Sequence, residues 1–185
     1  MRKDFGPQTW LYPLPVLIVG TYDENGTADA LNAAWGGIYG RNKVILSLSA
    51  GHKTTKNIKL KGAFTVSVAD VKHVVEADYV GLVSGNNEPD KLQKAGLTIT
   101  KSNFVDAPII NEFPLTLECK LEKFNEDGNI IGEIININAD ESILDANGAV
   151  DPAKLEAISF DPVHSAYLKL GEKVGNAFSD GKAIK

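Results

Sequence analysis

The chain has 185 residues, 19 basic against 24 acidic, for a net charge of −5. That length suits one hydrophobic core with insertions rather than two full domains, and the acidic balance argues against a general nucleic-acid surface. No apolar run reaches the roughly 18 residues that a membrane-spanning helix needs. The amino terminus lacks the apolar segment of a secretory leader and reads as mature. A solitary cysteine, Cys119, excludes an internal disulfide and makes a reducing cytoplasm the expected home.

In chain order, residues 14–21 form an apolar run that reads as a strand, and residues 23–26 supply an Asn-Gly turn. The return strand carries the small residues Ala30, Ala33 and Ala34, then Trp35 and two glycines. Residues 44–49 alternate, with Val44, Leu46 and Leu48 on one face and Ser47 and Ser49 on the other. Gly51 breaks that strand, and His52, Lys53, Thr54 and Thr55 lead into a short helix predicted from the spacing of Ile58, Leu60 and Phe64. Residues 64–68 are again a strand. The mostly apolar stretch 71–82 predicts a helix opened by His73, and 90–95 a second one stopped by Gly96.

Further on, residues 97–100 alternate, and the clearest element is a long hairpin, 115–124 with 130–137, around an Asp-Gly turn. Leu115, Leu117, Cys119 and Leu121 share its apolar face, which gives the thiol a packing role; Glu118 and Glu122 on the other face read as solvated charge. A further turn falls at 145–148, and residues 163–178 close the chain with an amphipathic pattern around Tyr167, Leu168, Leu170 and Val174. Many short antiparallel strands with few helices predict a mainly β barrel, one domain over 1–185.

The most informative chemistry lies in 47–58. A strand ending in hydroxyls, a glycine turn and a helix start bring N–H groups, Ser47, Ser49, Thr54, Thr55 and the Lys53 ammonium towards one point. Such a point favours an anion, because the first helical N–H groups lack acceptors and the helix dipole is positive there. Read alone, Thr54 is as well described as an N-cap and the serines as solvent-facing. The preceding segment shifts the balance. Its small side chains beside Trp35 leave room for a flat ring, and Asn32 can bond to the ring's polar edge. Glycines in a strand weaken it unless a ligand or another backbone comes close. A flat ring beside a phosphate seat describes flavin mononucleotide, FMN.

These residues resemble a known family. Asn-Ala-Ala-Trp-Gly-Gly at 32–37, the segment 47–58, Gly-Ala-Phe-Thr-Val-Ser-Val at 62–68 and Tyr-Val-Gly-Leu-Val-Ser-Gly at 79–85 are similar to the flavin reductase-like, FMN-binding split-barrel family. Segments 90–97, 107–110, 117–119 and 132–133 extend the likeness over nearly the whole chain, most closely towards the flavoredoxin-type and short NAD(P)H:flavin oxidoreductase-like branch. The resemblance implies a split barrel, bound FMN, NAD(P)H as transient co-substrate and a homodimer with the cofactor at its interface. With FMN bound, Ser47, Ser49, Lys53, Thr54 and Thr55 are expected at the phosphate and ribityl chain and Asn32, Ala33, Ala34 and Trp35 along the isoalloxazine, with Leu48 among the cofactor-binding residues. Ser84, with Gly85, and the C-terminal segment with Tyr167, Gly171 and Phe178 are expected to reach the site from either subunit. The chain departs from the family at 32–34, where many members carry a hydroxyl residue; that loss removes one hydrogen bond to the ring.

Other chemistries fit poorly. His52, His73 and His164 lie far apart with no second ligand at metal spacing. A nucleophile elbow is absent, and the glycines at 36–40 precede no parallel βαβ unit. With a flavin carrying the reaction, no residue is expected as general acid or base. Three readings remain: an NAD(P)H-dependent flavin oxidoreductase serving a small-molecule or protein acceptor, an electron-transfer flavoprotein of flavoredoxin type, and a β-barrel module for some other phosphorylated ligand.

Overall fold

In the computed structural model, which describes residues 1–184, the first apolar run splits in two. Leu14–Pro15 (β1) joins one small sheet, and Leu17–Tyr22 (β2) enters the main one. Every residue of β2 is buried, because the strand is covered on both faces. Its period of two sends Val16 and Ile18 into one core cluster, with Ala77, Val80 and Leu92, while Leu17 and Val19 enter another, with Leu46, Ile58, Phe64 and Cys119.

The Asn-Gly turn forms as expected, with Gly26 at φ +80° and the Asp23 carboxylate accepting from the N–H groups of Asn25 and Thr27. It returns the chain as Ala28–Ala33 (β3); Gly36–Ile38 (β4) and Lys43–Leu46 (β5) follow. The first helix is Lys53–Lys61 (α1), beginning earlier than the spacing of apolar residues suggested; Gly62 ends it at φ +64°. Phe64 therefore belongs to the next strand, Ala63–Val68 (β6), and is fully buried.

The expected helix at 71–82 is Val74–Leu82 (α2). Its first residues form a turn instead, where the Asp70 carboxylate accepts from the N–H of His73 and the Val71 N–H bonds to the carbonyl of Glu156. Lys91–Lys94 (α3) ends at Ala95, with Gly96 at φ +71° just beyond. Ile99–Lys101 (β7) pairs with Pro108–Ile110 (β8), and the long hairpin comprises Leu115–Phe124 (β9) and Ile130–Ala139 (β10).

Pro152–Leu155 (α4), Ile158–Asp161 (β11) and Ala166–Lys169 (β12) complete the order of elements. The closing amphipathic stretch is thus a short strand followed by exposed chain, not a continuous amphipathic element; Val174 and Phe178 are fully exposed.

The main sheet is antiparallel, in the order β3-β2-β6-β9-β10-β5-β4. Its two edge strands are consecutive in the chain and joined by only Ala34 and Trp35, so the sheet must curl until its edges nearly meet. The mainly β barrel expected from the strand pattern is what forms. Close packing seals its interior: a Cβ added at Gly132 would lie 2.3 Å from Cζ of Phe64. Cys119 packs here, and burial, with the charge of Glu118, pushes its thiol up to about 12.

One reading of the hairpin is corrected. Glu118 is buried, not solvated, and accepts from Ser102 Oγ and, at 2.6 Å, from Asn136 Nδ2. The reason is topological: β9 runs in mid-sheet between β6 and β10, and the 102–105 turn packs over its polar face.

Candidate functional site

Where the curled sheet's edges approach, a cavity of about 290 Å³ opens. One wall is the end of β3 and its link, Leu31 to Trp35; a second is Ser47, Leu48 and His52 between β5 and α1. Asp78, Gly81 and Leu82 of α2 supply a third, and Phe160 and Tyr167 a fourth. These last two face each other across the β11–β12 pair and extend into an aromatic row with Trp35, the ring centroids 6.2 and 6.5 Å apart. On the far side of Trp35, Ala34 and Ser47 also line a second groove of about 680 Å³ under residues 8–11.

Seven of the residues singled out from sequence meet in this cavity: Asn32, Ala33, Ala34, Trp35, Ser47, Leu48 and Tyr167. Close approach of α2 to β3 shapes it, since a Cβ on Gly81 would lie 2.9 Å from Cβ of Asn32. Asn32 is held from behind, its Nδ2 donating to the carbonyl of Ala77 at 2.9 Å. Tyr167 donates its hydroxyl proton to Asp78 at 2.7 Å.

The side chains expected to gather on a phosphate are divided. Thr54 is buried and donates its only hydroxyl proton to Asp29 Oδ2 at 2.7 Å; Thr55 donates its own to the Ser49 carbonyl at 2.9 Å. Lys53 turns to a separate groove with Lys56 and Asn86, where its ammonium pairs with Asp23 at 3.1 Å. Ser84 lies in the loop after α2, where its Oγ accepts from Asn86, and Ser49 is exposed; neither lines the cavity. A hydroxyl that has given its proton to a carboxylate or a carbonyl has none for a phosphate, so an anion held here is met by backbone and by Ser47 rather than by the two threonines.

The backbone is suited to that. His52 precedes α1, no side chain caps the helix, its first turn holds no acidic residue, and its first backbone bond runs from the Lys56 N–H to the His52 carbonyl. The N–H groups of Lys53, Thr54 and Thr55 therefore have no intrahelical acceptor. Beside them, His52 Nδ1 is buried without a hydrogen-bond partner. An orphaned buried ring nitrogen, free helix-start donors and a small-residue wall next to aromatic rings fit a ligand with a flat polar ring and an anionic tail.

Sequence reasoning missed His52 as a lining residue, and also Asp78, Gly81 and Phe160. Asp78 did leave a signal, being an acidic residue in the mostly apolar stretch 71–82. Phe160 left none before the β11–β12 pairing was visible.

Comparison with known proteins agrees with this geometry. Residues 10–154 match the model of the flavin reductase like domain. The structure of flavoredoxin from Desulfovibrio vulgaris (Miyazaki F) superposes with a TM-score of 0.95 at 39% identity, covering 98% of this chain and 100% of that one. Flavoredoxin from Methanosarcina acetivorans gives 0.91 at 25% identity, covering 100% of both chains. Nitrilotriacetate monooxygenase component B from Bacillus cereus shares the fold, with a TM-score of 0.76 at 23% identity over 90% of this chain and 88% of that one. The curled sheet is thus a flavin reductase-like split barrel.

Proposed function

This chain belongs to the flavin reductase like domain family, and on that premise we propose that it binds FMN in the cavity between β3, α1, α2 and Tyr167 and serves as an NAD(P)H-dependent flavin oxidoreductase. The observation that carries the proposal is the junction of two features: the small-residue wall at Ala33 and Ala34, and the uncapped start of α1 with the unpartnered His52 Nδ1. Bound there, FMN supplies hydride and electron transfer. The chain's own residues bind and orient. The first-turn N–H groups of α1 and the Ser47 hydroxyl hold the phosphate and ribityl chain, while Asn32, the backbone of 33–35 and the aromatic row hold the ring. Phe160 and Trp35 keep water from that face.

NADH or NADPH is the proposed donor, acting as a transient co-substrate, and the acceptor is a small molecule or a protein. We further propose a homodimer in a reducing cytoplasm, supported by the exposed apolar side chains Trp35, Ile38, Tyr39, Leu168 and Leu170 around the site. A second reading is favoured by one finding: the 39% identity to a flavoredoxin across almost the whole chain makes an electron carrier with a protein donor the alternative.

The test is the visible spectrum of the purified protein with added FMN, followed anaerobically by NADH and NADPH. Flavin bands that bleach rapidly with either nucleotide support the oxidoreductase. Bands that bleach only with a chemical reductant replace it by the carrier. Protein that neither carries nor takes up FMN sinks both.

A further inference from the structure

The protons around Tyr167 are all committed. The phenol has one proton, and Oδ1 of Asp78 receives it at 2.7 Å. The Asn32 amide has two on Nδ2: one goes to the Ala77 carbonyl at 2.9 Å, and the Tyr167 oxygen lies 3.4 Å from the same nitrogen. A carbonyl can only accept, so the Ala77 contact fixes which way round the amide sits, and the group Asn32 retains is Oδ1. All three side chains line the cavity. This wall holds lone pairs and no free proton. Burial, reinforced by the bond to Asp78, pushes the phenol up to about 12, so it stays protonated across the neutral range.

We propose that Asp78 is a positioning residue that turns Tyr167 into a hydrogen-bond acceptor, so that the wall formed with Asn32 selects a ligand edge bearing N–H groups. The proposal rests on the FMN reading above. An isoalloxazine carries an imide N–H and gains further ring N–H groups on reduction. An acceptor-only wall therefore prefers FMN to its 3-methyl analogue, or reduced FMN to oxidised, according to which N–H it meets. If Asp78 is removed, the phenol proton is released to the cavity, and the same tyrosine then donates to ring acceptors instead.

The experiment titrates flavin-free protein with FMN and with 3-methyl-FMN by fluorescence quenching, and measures the midpoint potential of the FMN complex by dye equilibration. The wild type is expected to show one preference or the other of about tenfold, a loss of one hydrogen bond to an otherwise paired group. In the redox arm, tenfold places the potential about 30 mV above that of free FMN. Asp78→Ala should erase the preference, whereas Asp78→Asn, whose amide oxygen can still accept the phenol proton, should keep it. In a Tyr167→Phe background, Asp78→Ala should change nothing further. Wild-type protein that binds FMN with neither preference overturns the proposal and leaves the FMN reading standing. So does an Asp78→Ala variant that keeps the preference, or an Asp78→Ala effect that persists undiminished beside Tyr167→Phe, which would mark a charge effect. Failure of the wild type to bind FMN at all removes the reading and the proposal together.

Discussion

Asp29 and Lys91 are each only 2% exposed, and the ammonium lies 3.2 Å from Asp29 Oδ1. All three ammonium protons of Lys91 are used, and each Asp29 oxygen has a partner. Lys91 donates to the carbonyls of Val80 and Val83 at 3.2 and 3.0 Å, and Asp29 accepts from Thr54. Gly85 closes the site, since a Cβ there would lie 2.1 Å from Asp29 Oδ1. One buried pair thus ties β3, the end of α2, α3 and the start of α1 together behind the cavity. Lys91→Met should cost about 3–5 kcal/mol, because it leaves a buried carboxylate uncompensated. Adding Asp29→Asn should restore much of that, as neither charge is then buried alone. Urea denaturation midpoints of the single and double variants measure both effects; a single variant as stable as the wild type would contradict this account. None of this is legible in the sequence. Lys91 falls on a short predicted helix, and Asp29 stands in the run before the small-residue wall with nothing to mark a partner far along the chain. Asn32, Trp35 and Ser47, which the structure brings together in one cavity, could be grouped from sequence because they fall in two neighbouring segments.

At the scale of elements, hairpins read best, because Asn-Gly and Asp-Gly turns and alternation are local signals. Helix starts read worst, and α1 shows why. It has no side-chain cap, so the usual mark of a helix start is missing, and that same absence leaves its first N–H groups free for an anion. Glu118 misleads for a different reason: alternation tells which face a residue is on, not whether another loop covers that face. The seating of α2 on β3 gives a sharper test. In isolation, Gly81→Ala would favour the helix by about 1 kcal/mol. Here the new methyl would sit 2.9 Å from Cβ of Asn32, which is not a flexible end, so the helix must move. Overpacking of this kind costs about 1–3 kcal/mol and should win. The expected outcome is a protein with a lower melting temperature and FMN bound several-fold more weakly, read by thermal melts and fluorescence quenching. A Gly81→Ala variant that is more stable and binds FMN normally would mean that α2 is not seated tightly by this contact.

For the molecule as a whole, closure of the barrel depends on a two-residue link between edge strands, which no periodicity reveals; the antiparallel strand content is legible, the curl is not. The curl leaves the cavity open on the side where Trp35, Ile38 and Tyr39 are exposed, while Trp10 and Leu11 near one end of the chain, and Leu168 and Leu170 near the other, are exposed as well. Scattered apolar residues on a surface need no explanation, but a run that continues from a cavity wall is the kind of patch that the proposed second copy would cover. A second copy covering this side would complete the walls that the cavity lacks and would exclude water from the ring face. Sedimentation velocity should therefore give a species of twice the 19.9 kDa chain mass at micromolar protein. Ile38→Asp, at an exposed position on the edge strand beside Trp35, should shift that species towards monomer without lowering chain stability by more than about 0.5 kcal/mol, the usual range for surface changes. If the second copy supplies a wall of the site, FMN affinity should fall along with dimerisation. A wild-type protein that sediments as a monomer while holding FMN would show that one chain makes the whole site, and the exposed aromatic edge would then be free to receive the electron acceptor.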